Sequence, residues 1–185
     1  MSDRYIIPTE LESERLYFRM FCEEDFLSLL DFFQDEKSVE YVGGKILNER
    51  EVWRHKLCLY LGHWQIRKYG PYAIVEKNTG DLLGPVGLWY PNDWPEPEMK
   101  WAIRRKFWGK GYATEAATTI MDMVKKELGW KWLISLILND NQRSVALAKR
   151  LGGIFEEEIT FNGLTASIFV YDLKSKSIRG SLSES

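Results

Sequence analysis

The stretch Trp108-Gly109-Lys110-Gly111-Tyr112-Ala113 sets two glycines and a lysine, with no acid among them, just ahead of a segment with helical periodicity. Closely spaced glycines cost backbone entropy and weaken regular structure. Here they let the backbone come close to something: a tight structural turn, a nucleotide phosphate or another anion. Strand, glycines, helix is the order in which free backbone N–H groups and the positive end of a helix, worth roughly half an elementary charge, meet an anion. Lys110 adds a full charge, Gly109 and Gly111 remove Cβ atoms that would block the approach, and Ala113 keeps the next turn small. Two better-known loops do not fit. The Gly-to-Gly-Lys-Ser/Thr spacing of a P-loop is absent, and this Gly-x-Gly comes late in the chain with no third glycine.

A second candidate is Glu98 in "EPEMKWAI". Period-two alternation puts Glu98 and Lys100 on one side of that strand and Met99 and Trp101 on the other. A partly desolvated carboxylate there, with a raised pKa, can take a proton near neutrality; Asp93 and Glu96 compete for the role by proximity. Asn141 stands where a helix N-cap belongs, with Ser144 one turn on. His55, Cys58 and His63 match no standard zinc spacing and read as a helix face, so no metal is expected.

These residues need positioning by a mixed set of elements. "LYFRMF" (Leu16 to Phe21) alternates as a strand, and "CEEDFLSLLDFFQDE" reads as an amphipathic helix with Phe26, Leu29, Leu30 and Phe33 on one face. A second helix runs from about Glu49 to Arg67, carrying Val52, Trp53, Leu57, Leu59 and Leu61. "PYAIVEK" and "LLGPVGLWY" form a hairpin around Asn78-Thr79-Gly80-Asp81. "EMKWAI" is a strand leading into the glycines, and "TEAATTIMDMVKKEL" is a helix with Ala116, Ala117, Ile120, Met121, Val124 and Leu128 on one stripe. Glu115 in its first turn suits the helix dipole. "KWLISLIL" is a buried strand, "SVALAKRLGG" a short helix, and "IFEEEITF" and "ASIFVYDL" are closing antiparallel strands. The order predicts one α/β (α+β) domain over 1–173, with a disordered tail over 174–185.

A net charge of −2 gives no field favouring nucleic acid or an anionic membrane, and no apolar run is long enough for a span. Two cysteines make no disulfide framework, and the N-terminus lacks an apolar leader, so a cytoplasmic location is expected.

Trp108 to Ala116, "WGKGYATEA", resembles the acyl-CoA pyrophosphate loop of the GNAT acetyltransferase superfamily, in particular the branch of the ribosomal-protein alanine acetyltransferases RimJ and RimL. The superfamily pattern has Gln or Arg where this chain has Trp108, then Gly111 and Ala113 as expected. "SERLYFRMFCEEDF", "GPYAIVEKNTGDLLGPVGL" and "NDNQRSVALAKRLGG" resemble other stretches of that branch, in order, from about Leu11 to Leu173. The resemblance implies the GNAT fold, a single mixed and mostly antiparallel twisted sheet with helices on both faces. It also implies acetyl-CoA as co-substrate, no metal, and attack by an amine on the thioester.

By the same resemblance Glu98 is the base, directly or through a water. The Ile103 backbone meets the pantetheine arm, Asn141 holds the pantetheine amide, and Trp108, Gly109, Lys110, Gly111, Tyr112 and Ala113 form the diphosphate loop. Arg104, Arg105, Lys106, Arg143 and Lys149 are further phosphate candidates, with Lys110 preferred. Many relatives carry a tyrosine acid where this chain has Ala148, which leaves Ser144 or a water to assist the thiolate. The acceptor should meet the first two helices and "YPNDWPEPE", where acids beside Trp89, Tyr90 and Trp94 suit a cationic amine. A protein N-terminus and a small amine remain alternatives, as does a non-catalytic acyl-CoA-binding module. A homodimer is compatible with this reading, which leaves oligomeric state open.

Overall fold

The computed structural model describes residues 6–174; apart from Lys174, the expected tail lies outside them. Eight strands form one sheet in the order β1-β2-β3-β4-β5-β6-β8-β7. They are β1 (Glu10–Glu12), β2 (Leu16–Arg19), β3 (Pro71–Glu76), β4 (Leu82–Trp89), β5 (Glu98–Trp101), β6 (Trp132–Leu138), β7 (Ile154–Phe161) and β8 (Leu164–Asp172). All neighbours are antiparallel except β5 with β6. The helices are α1 (Phe26–Gln34), α2 (Glu36–Val39), α3 (Glu49–Val52), α4 (Cys58–Arg67), α5 (Tyr112–Met123) and α6 (Gln142–Arg150). The mixed sheet expected from the sequence is the one that forms. β1 was not foreseen: at three residues it is too short to show alternation.

Strand alternation divides the apolar residues between two cores. Phe18, Ile74, Leu88 and Met99 pack with Ala116, Ala117 and Ile120 of α5. Ala73 and Trp89, pointing the other way, pack with Leu29, Phe32 and Phe33 of α1 and with Leu57 and Tyr60. In α1 the inward face also holds Phe32, which is absent from the stripe expected from the sequence, while Phe26 and Leu30 are only partly buried.

The helix expected over residues 49–67 is interrupted by a π turn at Trp53–Leu57. The wide turn holds one extra residue, so inward positions step from Val52 to Leu57 and only then resume the ordinary spacing through Tyr60 to Trp64. Trp53 (37% exposed) and Leu59 (45% exposed) therefore face outward, contrary to the simple periodicity. A second π turn, Val124–Leu128, follows α5.

The parallel pair is the break in the sheet. β5 and β6 share a single registered pair, Glu98 with Ile134. Beyond it side chains replace the ladder: Ser135 Oγ donates to the Met99 carbonyl at 2.7 Å, and the Leu136 amide donates to Glu98 Oε2 at 3.1 Å. The Tyr171 hydroxyl, buried beneath, donates to Ser135 Oγ at 3.1 Å. β5 ends at Trp101, so Ile103 lies just past the strand, and a 3-10 turn (Arg105–Phe107) intervenes before the glycines.

Candidate functional site

A cleft of about 1280 Å³ opens where β5 and β6 part, larger than most small-ligand pockets. Its walls come from Trp101 to Ile103, the glycine loop, the first turns of α5 and α6, and the β1–β2 turn. Ile103, Trp108, Gly109, Gly111, Tyr112, Ala113, Asn141 and Ser144 all line it; Lys110 and Glu98 do not.

The loop works through its backbone. Gly109 (φ +74°) and Gly111 (φ +80°) are both left-handed, a conformation that disfavours side chains. A Cβ on Gly109 would meet nothing within 4 Å, and one on Gly111 only the Arg15 side chain at 3.4 Å. Conformation, rather than crowding by protein atoms, therefore demands glycine here. Gly111 caps α5, whose first internal bond runs from Glu115 N to Gly111 O at 3.0 Å. The amides of Tyr112, Ala113 and Thr114 precede that bond and are left at the cleft.

Two supports of this loop were missed from sequence. Glu115, read there as a dipole partner, accepts from Ser13 Oγ (2.7 Å), the Arg15 amide (2.8 Å) and Arg15 Nε (2.7 Å). Arg15 also donates to the Lys110 carbonyl at 2.9 Å and lies 4.4 Å from the centre of the Tyr112 ring. Together these bonds hold the Glu115 carboxyl below its usual pKa, against the opposing effect of burial. Glu115→Ala should therefore lower stability by about 2 kcal/mol, discounted because Arg15 is partly exposed. Equal urea midpoints for the two proteins would remove the clamp from the account.

The other support is Trp108, whose indole N–H donates to the Ile103 carbonyl at 2.6 Å. The Arg143 guanidinium covers the indole at 3.6 Å from its ring centre. The amides on either side of Ile103 are used by β4: Ala102 N reaches Pro85 O (2.9 Å) and Arg104 N reaches Leu83 O (2.8 Å). Alternation therefore turns the Ile103 amide toward the cleft. Gly84 makes that pairing possible, since a Cβ there would stand 2.1 Å from the Ala102 carbonyl oxygen.

Of the other basic candidates, Arg104, Arg105 and Lys106 are paired with Asp31, Asp35 and Asp81. Arg143 lines the cleft, whereas Lys149 does not. Lys110 is exposed, its ammonium 5.7 Å from the centre of the Phe107 ring. Asn141 caps α6, its Oδ1 accepting from the Ser144 amide at 3.2 Å. Ser144 Oγ accepts the Trp101 indole N–H at 3.0 Å, which leaves its own proton to donate.

Glu98 sits at the base of the split, 5% exposed, on the strand face shared with Trp89. Burial raises its pKa to about 7, although nearby Lys100 and the Leu136 amide favour the ionised form. The Trp94 indole nitrogen is buried without an acceptor at bonding distance, yet lies near enough to favour that form too. Asp93 is exposed, and Glu96 accepts the Trp132 indole N–H at the surface (2.9 Å). Glu98 is thus set apart from both by burial.

His63 is structural. Its Nε2 accepts from the Tyr90 amide at 2.9 Å, so Nδ1 carries the proton and donates it to the Tyr69 carbonyl at 2.9 Å. His55 pairs with Glu51 at 3.1 Å. Among the described residues no group of three or more His, Cys, Asp or Glu side chains could hold a metal ion, and no helix is long and apolar enough to cross a membrane.

A family model described as acetyltransferase (GNAT) domain matches residues 15–154. The uncharacterized protein YkkB of Bacillus subtilis is 26% identical, the alignment covering 90% of this chain and 96% of that protein. A crystal structure of an acetyltransferase from Agrobacterium tumefaciens superposes with a TM-score of 0.79 at 28% identity, covering 89% of this chain and 94% of the other. The ribosomal-protein-S5-alanine acetyltransferase of Vibrio fischeri shares the fold at a TM-score of 0.70 and 16% identity, covering 89% and 97%.

Proposed function

This chain belongs to the GNAT acetyltransferase family, and from that premise we propose that it moves the acetyl group of acetyl-CoA to a primary amine by direct attack within a ternary complex. The observation that carries the proposal is the split between β5 and β6. It has helix-end amides at one mouth and a buried carboxyl titrating near neutrality at its base. The family implies acetyl-CoA, and the cleft has the room, the anion-binding helix end and the cationic wall that a long diphosphate requires. We assign the catalytic unit to 1–173 and place it in the RimJ/RimL-like branch. Support for that placement comes from the ordered motifs and the shared fold of the Vibrio fischeri enzyme.

Acetyl-CoA supplies an acyl group activated as a thioester. The residues divide the remaining work. Gly109, Gly111 and the amides of Tyr112 and Ala113 hold the diphosphate, with Lys110 adding charge from outside the cleft. Trp108 locks the Ile103 backbone, whose amide faces the acyl carbonyl, and Asn141 holds the pantetheine amide. Glu98 takes the proton the amine must lose, directly or through a water. The new bond joins the amine nitrogen to the acetyl carbon, the carbon–sulfur bond breaks, and the sulfur leaves as thiolate. Ser144 donates a proton toward that thiolate. Thiolate is a good enough leaving group that a strong acid is not required, which accommodates Ala148.

A thiol-release assay with acetyl-CoA across free amines and peptides with free N-termini tests the proposal. Release with at least one class is expected. Tight acetyl-CoA binding with no release from any acceptor would leave only an acyl-CoA-binding module. Trp108→Phe keeps a ring beneath Arg143 but removes the indole donor, and should weaken acetyl-CoA binding by about tenfold. Unchanged affinity by calorimetry would detach Trp108 from the site.

A further inference from the structure

On the face of β5 opposite Met99 and Trp101, the sheet register gathers Trp89, Glu98 and Lys100: Glu98 lies beside Trp89, and Lys100 beside Gly87. The Lys100 ammonium stands 4.7 Å from the centre of the Trp89 ring it overlies. A second ammonium reaches the same region from the π turn. Lys56 Nζ lies 4.6 Å from the centre of the Phe33 ring, and 3.6 Å from where a Cβ on Gly43 would stand. The loop between α2 and α3 therefore lies over it. Among the described residues neither ammonium makes an ion pair or a hydrogen bond. Burial pulls both below the ordinary lysine pKa, Lys56 to about 8, and each is close enough to the other for Lys100 to repel Lys56. The carboxylate that offsets this at Lys100 is Glu98.

Two half-buried, mutually repelling cations with no hydrogen-bond acceptor are costly, and methionine would fill the same apolar space without that cost. Glu98 is one carboxylate against two ammoniums, so what the arrangement lacks is a second anion. The diphosphate of acetyl-CoA, on the reading above, is held by α5 on the opposite face, so the missing anion has to come with the acceptor. We propose that Lys56 and Lys100 bind a carboxylate of the acceptor, which is therefore an amine carrying a carboxylate a few bonds away. Same-face neighbours on a strand stand about 7 Å apart. That spacing puts an amine at Glu98 while its carboxylate rests on Lys100, as in an amino acid. The inference builds on the amine-transfer reading and narrows it. The charge expected of the acceptor site changes accordingly, from a surface suited to a plain cationic amine to one suited to a zwitterion.

Thiol release is measured for the free amino acids and their carboxamides, and for peptides beginning with Asp or Glu against Asn or Gln. Carboxylate acceptors should exceed their amide counterparts in kcat/KM by about tenfold or more. The arm in which the preference emerges identifies a free amino acid or an acidic first residue as its source. Lys56→Met, and separately Lys100→Met, should bring the carboxylate-to-amide ratio toward unity while acetyl-CoA affinity by calorimetry persists. Equal use of carboxylate and amide by the unmodified protein overturns the proposal, and so does a ratio retained in both variants. Should no acceptor release thiol, calorimetry with N-acetyl amino acids and their N-acetyl amides in the presence of CoA decides. Carboxylate-selective binding lost in Lys56→Met would uphold the anion site while amine transfer falls; binding without selectivity would overturn both.

Discussion

Glu98→Gln should lower turnover by about 10²- to 10⁴-fold, the range expected when a positioned general base is lost, with little change in acetyl-CoA affinity. The substitution keeps the shape and an oxygen for the Leu136 amide, so the loss would be one of proton transfer rather than of the split itself. The wild-type rate should rise with pH through an inflection near the raised pKa of about 7, because only the ionised carboxyl accepts a proton. The variant's residual rate should lack that inflection. Stability should move the other way. A folded pKa above the unfolded value means that the contribution of Glu98 is complete below the ordinary carboxyl range and is lost as pH rises through about 7. Glu98→Gln should therefore be the more heat-stable protein above pH 7, by up to about 3 kcal/mol. A wild-type rate in the variant at neutral pH would remove Glu98 from the mechanism.

Gly111→Asp should reduce acetyl-CoA affinity more than about 100-fold while leaving a folded protein. Gly111 is the cap of α5, and aspartate is a good capping residue. Its carboxylate would fold back onto the amides of the first turn and compete with Glu115 for Arg15, whose guanidinium lies near the position of the new side chain. The mutant would thus supply internally the anion that, on the proposed reading, the helix end takes from a ligand. The left-handed backbone adds roughly 1–2 kcal/mol of strain, which aspartate tolerates better than most residues. Calorimetry checks this directly; unchanged affinity would move the diphosphate away from the α5 end.

What could be read from the sequence was local. The glycine loop, the Asn141 cap and the alternation that separates Glu98 from Met99 depend on neighbours a few residues apart, and all three have the expected geometry. The order of strands and helices was legible for the same reason. The π turn was not: one additional residue in a helical turn leaves the composition of "VWRHKLCLYL" unchanged yet shifts every later inward position. The Trp108 bond to Ile103 was not legible either, because the direction of the Ile103 carbonyl is set only when its neighbours pair with β4. Nothing local in the sequence sets Lys56 and Lys100 apart from other lysines; only the fold brings them onto two aromatic faces.

The tie between Arg15 and Glu115 spans 100 residues. During synthesis at about 5–20 residues per second, the segment around Arg15 emerges some 5–20 s before its acceptor exists. The turn that steadies the glycine loop thus waits, hydrated and unpaired, until most of the sheet has left the ribosome. The glycine loop is accordingly steadied only midway through synthesis, with β6, α6, β7 and β8 still to be made.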